Sequence, residues 1–163
     1  HCLCFHGLSK RSNLPGLRSG FVAGDPHWIE QFRRYRTYHG CAMPPHHQIA
    51  SEWAWGDEIH VRDNRARYRE KFAAVTPILT AVLATPSPDA GFYLWPETPI
   101  GDETFAQQLL QHAGVKVLPG RYLARDTMAG NPGAHRIRLA LVAELGQCVE
   151  AAERIAHAVK SGG

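Results

Sequence analysis

Lys10 stands in the segment Gly7-Leu8-Ser9-Lys10-Arg11-Ser12-Asn13-Leu14-Pro15-Gly16-Leu17-Arg18-Ser19-Gly20-Phe21, directly after the apolar run Cys2-Leu3-Cys4-Phe5. A primary amine in a loop of small and polar residues, just past a strand, lies where α/β proteins place reactive groups. To act as a nucleophile or base it must lose a proton from a reference pKa of about 10.4, so burial or neighbouring cations must lower that value. Arg11 and Arg18 are the cations closest in sequence. The loop hydroxyls and a guanidinium can also hold an anion, and arginine suits phosphate through a two-pronged contact. A lysine in a polar loop is otherwise simply solvated, so this chemistry alone leaves both readings open.

A second cluster lies downstream, where Arg136-Ile137-Arg138-Leu139-Ala140-Leu141-Val142 alternates two arginines with apolar residues. Strand periodicity puts both guanidinium groups on one face. Either could clamp a carboxylate with two parallel hydrogen bonds, or both could belong to a salt-bridged strand edge. The ten histidines give no comparable signal. His46 and His47 are adjacent, and His1, His6, His27, His39 and His60 follow no ligand spacing, so no metal site is expected. The four cysteines, at 2, 4, 41 and 148, form neither a CxxC pair nor a disulfide framework.

The elements that must position these groups are legible from periodicity. Residues 2–6 are apolar enough for a buried strand, 7–16 read as a loop, and 17–23 as a returning strand. Asp25-Pro26 gives the start of a helix, with Asp25 as its N-cap, and Gly40 stops it. Pro44-Pro45 opens a second helix to about Trp55, with Ile49, Trp53 and Ala54 on its apolar side. A long helix follows, on which Tyr68, Phe72, Val75, Ile78, Leu79 and Val82 recur at three- and four-residue steps, with Pro77 expected to bend it. After the break at Pro86-Ser87-Pro88-Asp89, strands are expected at 91–95, 115–118 and 137–142. Helices are expected from an Asp102 cap to about His112 and from about Leu145 to Val159. Alternating strands and helices make an α/β class. The expected divisions are 1–57, a connecting helix 58–84, and 85–163.

Composition narrows the function. The chain has 163 residues, 44% hydrophobic and 20% charged, near the globular average. Eighteen basic against fifteen acidic residues give a net charge of +3, without a basic block interleaved with aromatics, so nucleic acid is not an expected partner. Mean hydropathy is −0.29, and no apolar run is long enough to span a bilayer. No secretory leader is visible, and a soluble cytosolic setting is expected.

The lysine segment resembles the cofactor-lysine signature of the class I/II pyridoxal-phosphate aminotransferases. There a small residue, an apolar residue, Ser or Ala and then Lys precede Asn, Gly and Arg at set distances. Lys10, Asn13, Gly16 and Arg18 match, Arg18 falling eight residues after the lysine. Gly7 stands where many members carry Ser, and Ser19 where they carry an apolar residue. The resemblance implies that Lys10 carries pyridoxal 5'-phosphate on its amine, and that Arg18, with Ser9 as a weaker candidate, binds the phosphate. The family also has a carboxylate-binding arginine in a strand like 136–142, which implies that Arg138 takes the substrate α-carboxylate while Arg136 is structural.

Val117-Leu118-Pro119-Gly120 and Phe92-Tyr93-Leu94-Trp95 resemble further family segments. The implied fold is the C-terminal part of a fold type I transferase: the end of the large-domain sheet, a long connecting helix and a small α/β domain. The helix segment Cys148-Val149-Glu150-Ala151-Ala152-Glu153-Arg154-Ile155 and the lysine loop are most similar to the succinyldiaminopimelate aminotransferase subfamily. That implies amino transfer between an amino acid and a 2-oxo acid by a homodimer, in lysine biosynthesis. Another class I aminotransferase, a pyridoxal-phosphate lyase and a non-enzymatic aminotransferase-like regulatory domain are the competing readings. Nine residues precede Lys10. The family's acidic partner for the pyridine nitrogen, its ring-stacking aromatic and its first phosphate loop are therefore expected outside this sequence, and the chain alone is expected to be inactive.

Overall fold

In the computed structural model, which describes residues 2–162, the lysine segment is carried by a two-stranded antiparallel ladder. β1 (Leu3–Gly7) pairs with β2 (Gly20–Gly24), Leu3 opposite Gly24 and Gly7 opposite Gly20. The apolar run predicts a buried strand, but β1 is largely exposed, Phe5 included. A lone pair of strands buries little by itself, and Phe5 instead packs edge-on against Phe32 with centroids 5.6 Å apart. The segment expected as a loop is partly helical, with α1 (Leu8–Arg11) and a 3₁₀ turn at Pro15–Leu17.

α2 (Pro26–Tyr38) begins as its sequence requires: Pro26 occupies the first turn, and the Asp25 carboxylate accepts from the His27 backbone N–H at 3.0 Å. α3 (Pro45–Gly56) forms where expected but turns Ile49 and Trp53 outward, Trp53 being 78% exposed. Ser51 is the buried residue of α3, and the Trp55 ring packs 5.0 Å from that of Phe21. α4 runs Ile59–Thr80 with Pro77 inside it, four residues short of the expected 84. Asp57 caps its start, accepting from Ile59 N–H at 2.8 Å and meeting His60 Nδ1 at 2.7 Å. That His60 contact is the main reason the Asp57 carboxyl sits below its ordinary range.

The chain divides into two compact units within α4, the first ending at Arg65 and the second beginning at Ala66. The second unit is built on an antiparallel sheet in the order β3-β5-β4, with β3 at Tyr93–Leu94, β4 at Leu118–Pro119 and β5 at Ile137–Ala140. Tyr93 faces Ala140 and Leu94 faces Leu139, while Leu118 faces Arg138 and Pro119 faces Ile137. These strands are shorter than the apolar runs suggest, because each edge ladder holds only two residue pairs. Val75 and Leu79 of α4, Leu94, Ile137, Phe105 and Ile155 share one buried core. The periodic residues of α4 thus face inward as their spacing requires. α6 (Leu145–Ser161) opens with a capping box, Glu144 and Gln147 each accepting from the other's backbone N–H. It buries Cys148, Ala152, Ile155 and Ala156, and burial raises the Cys148 thiol pKa.

α5 (Asp102–Gln108) continues into a π-helical segment at Leu109–Ala113. Asp102 does not cap it. Gly101 holds the cap position, and the Asp102 side chain, 0% exposed, turns to the segment after β4. There it accepts from Arg121 backbone N–H at 3.0 Å and from Arg121 Nε at 2.8 Å, with Nη2 also at 2.8 Å. The pair anchors the turn that carries Gly120, where a Cβ would meet Gly133 O at 2.3 Å and Arg136 O at 2.7 Å. Only glycine lets these backbones approach, and Gly120 N–H then donates to Arg136 O at 2.7 Å. β4 is thereby held against β5.

Burial raises the Asp102 carboxyl, yet the Arg121 hydrogen bonds and charge outweigh it and hold the group below the usual carboxylate range. A depressed folded-state value means stabilisation that is complete above the unfolded pKa of about 3.9 and is lost as pH falls through the folded value. Asp102→Asn is expected to cost about 1–3 kcal/mol of unfolding free energy at neutral pH. The cost is moderated because Arg121, 39% exposed at its side chain, can return to water. Urea melts of wild type and variant should converge as pH is lowered from 7 toward 3; a gap unchanged over that range would contradict the assignment.

Candidate functional site

Leu8 organises the lysine turn. Its side chain is fully buried, its N–H donates to Ser19 O at 3.1 Å, and its carbonyl accepts from Ser12 N–H at 3.0 Å and Leu14 N–H at 3.2 Å. One apolar anchor and three backbone bonds therefore close the loop between the two strands. Gly20 permits the closure, since a Cβ there would meet His6 O at 2.5 Å. On this anchor Ser9 is half-buried and Lys10 exposed.

Arg11 does not assist the lysine as its position in sequence suggests. Its guanidinium donates to Ala54 O at 2.9 Å and Trp55 O at 3.4 Å, pairs with Glu58, and stacks 4.9 Å from the Trp55 ring centroid. It thereby satisfies the last carbonyls of α3 and ties α1 to that helix. Asn13, at φ 52°, adds a second tie through Nδ2 to Asn64 Oδ1 at 2.9 Å.

Arg18 is exposed, in the left-handed region at φ 50°, with Nη1 donating to Pro15 O at 3.0 Å. No acidic side chain among the described residues pairs with it. Beside it, Ser19 is 5% exposed and its Oγ finds no hydrogen-bond partner among the described residues. In the second unit, Arg138 lies on β5 and Arg136 immediately before it, and the two differ in their partners. Arg136 meets Glu97 Oε1 at 2.5 Å and donates to Trp95 O at 3.3 Å. Arg138, half-buried, has no acidic partner among the described residues, and its guanidinium carbon lies 4.8 Å from the Tyr93 ring centroid.

These groups offer one exposed lysine on a rigid turn, one acid-free guanidinium on the same loop, and another on a central strand. An amine can anchor an aldehyde, and each guanidinium, taken within its own unit, can hold an anion. The Asp102–Arg121 pair, the Arg11 tether and the ring beneath Arg138 have no signal in the sequence, because each joins residues that local periodicity does not relate. No group of three or more His, Cys, Asp or Glu gathers among the described residues, and no described helix is long and apolar enough to cross a membrane.

The fold and these groups make an α/β chain with one exposed amine and two acid-free guanidinium groups. Residues 1–155 match the family Aminotransferase class I and II, and the chain belongs to that family. It is 37% identical over 142 residues to a probable aminotransferase of Mycobacterium tuberculosis, covering 86% of this chain and 32% of that one. An aminotransferase structure from Neisseria meningitidis superposes with a TM-score of 0.87 at 56% identity, over 95% of this chain and 40% of that one. A probable N-succinyldiaminopimelate aminotransferase of Thermus thermophilus superposes with a TM-score of 0.82 at 29% identity, over 96% and 41%. The chain thus spans about a third to two-fifths of these relatives, and has the fold of the corresponding part of the fold type I aminotransferases. The family's cofactor, pyridoxal phosphate, fits the donor set of the lysine loop: an amine for its aldehyde, and for its phosphate an acid-free guanidinium with the unpartnered Ser19 hydroxyl alongside.

Leu8→Ala is expected to destabilise the protein by about 2–4 kcal/mol, the transfer term plus the cavity left behind. Denaturant unfolding checks it, and a loss below about 1 kcal/mol would mean that Leu8 does not anchor the turn.

Proposed function

We propose that the protein carrying this chain is a pyridoxal-phosphate-dependent transaminase moving an amino group between N-succinyl-diaminopimelate and 2-oxoglutarate, in lysine biosynthesis. The observation that supports it best is the contrast between two arginines at the start of β5: Arg136 is paired with Glu97, whereas Arg138 keeps its charge available for a carboxylate. The substrate follows the Thermus relative, whose name carries it. The same reading assigns 1–57 to the end of the cofactor domain, 58–84 to a connecting helix and 85–163 to a small domain, in a cytosolic homodimer.

Four side chains divide the work. Lys10 would hold the cofactor through Nζ, and the same amine, once free, would carry the proton from the substrate α-carbon to the cofactor. Pyridoxal phosphate, when bound, supplies an electron sink for the bond that breaks. Arg18 holds the phosphate with charge-assisted hydrogen bonds, and Ser9 adds a hydroxyl donor. Arg138 fixes the α-carboxylate, which sets the direction of the α-carbon's C–H bond. Such positioning accounts for up to about 7–11 kcal/mol of a barrier in the best cases.

Borohydride reduction of the full-length protein loaded with pyridoxal phosphate is expected to give a covalent adduct that mass spectrometry maps to Lys10. Lys10→Ala should abolish that adduct and lower amino transfer by about 10²–10⁴-fold or more; an adduct persisting in the variant would overturn the assignment. Arg18→Gln should weaken pyridoxal-phosphate binding by about 10- to 100-fold, as loss of a charge-assisted contact implies, measured by equilibrium dialysis. Comparing kcat/KM for N-succinyl-diaminopimelate, diaminopimelate, aspartate, alanine and an aromatic amino acid decides the donor.

A further inference from the structure

A guanidinium that reads a carboxylate must be held still without being neutralised, and the register around Arg138 shows a group suited to that. Tyr93 faces Ala140 across the β3–β5 ladder. Ala140 lies two residues beyond Arg138, so Tyr93 and Arg138 share a face as diagonal cross-strand neighbours, within reach of an aromatic ring and a long side chain. The ring meets the guanidinium at 4.8 Å from its centroid to Cζ. Tyr93 is half-buried, and the Phe92 ring lies against it at a centroid separation of 4.1 Å. The platform is therefore fixed from its own strand.

We propose that Tyr93 is a positioning residue for substrate binding: its ring stacks on Arg138 and leaves the in-plane N–H edge open to a carboxylate. The proposal rests on Arg138 being the carboxylate partner. The physical case is a comparison of alternatives. An acid in place of Tyr93 would immobilise the arginine but cancel its charge, as Glu97 does for Arg136. An aliphatic residue would leave the charge but let the long side chain sample several rotamers, and freezing it would then weaken carboxylate binding. An aromatic face attracts the cation without competing for its hydrogen-bond donors. The ring does this and not the hydroxyl, so phenylalanine should serve as well as tyrosine.

The test uses the full-length holoenzyme with Tyr93→Phe, Tyr93→Ile, Arg138→Ala and the Tyr93→Ile/Arg138→Ala double variant. Readouts are KM and kcat for L-glutamate and 2-oxoglutarate, calorimetric binding of 2-oxoglutarate, and the melting temperature. Tyr93→Ile keeps a strand-compatible β-branched side chain; if it fails to fold, Tyr93→Leu takes its place. Tyr93→Phe should stay within about twofold of wild type, whereas Tyr93→Ile should raise KM and weaken 2-oxoglutarate binding by about 3- to 30-fold, the range of a cation–π contact. Its kcat should remain within about threefold. In the Arg138→Ala background the Tyr93→Ile change should add nothing to either constant. Two results separate the ideas. If Arg138→Ala raises KM but Tyr93→Ile does not, or its effect persists without Arg138, the positioning role is wrong and the reading of Arg138 stands. If Arg138→Ala leaves KM and binding unchanged, both fall.

Discussion

Binding an anion with arginine imposes two opposed demands: the side chain must be fixed, and its charge must stay unspent. Four of the described arginines meet only the first. Arg11 pairs with Glu58, Arg121 with Asp102 and Glu103, Arg136 with Glu97 and Arg154 with Glu150, and each is thereby a fastener. Arg18 and Arg138 are held differently, one by a neutral backbone carbonyl and the other by a neutral ring. Neutral supports hold a cation in place while its field still reaches outward, which is the property an anion site needs.

The fasteners matter because they set the frame in which those two side chains stand. Arg138 lies on the central strand of three, and a one-residue slip of β5 against β3 and β4 would turn its side chain into the core. Leu94 and Ile137 resist that slip from the buried face. The Asp102–Arg121 pair and the close passage at Gly120 resist it from the β4 edge. In the first unit the frame is smaller, and Leu8 with its three backbone bonds does comparable work for the lysine turn.

The sequence made some of this legible and hid the rest for identifiable reasons. The α4 stripe, the Asp25 cap and the buried face of α6 follow from local rules, and each forms where its spacing puts it. Burial was less readable. Trp53 and Phe5 are apolar in sequence but exposed, because which face of an element is covered depends on partners that no local window contains. Asp102 differs in kind from what its position suggests: an acid before a helical run reads as a cap, and here it sits inside the first turn and bonds to a residue nineteen positions away. The lysine loop was legible because its chemistry is packed into one continuous stretch. The support beneath Arg138 was not, because it depends on strand register.

Arg18 carries one further implication. Its backbone occupies a conformation that costs an L-residue with a side chain about 1–2 kcal/mol and costs glycine almost nothing. Thermostability and any anion-binding duty of the side chain therefore pull on this position in opposite directions. A chain freed from any duty at the loop would drift toward glycine or asparagine there and gain robustness by doing so. Keeping a guanidinium in this backbone conformation costs folding energy.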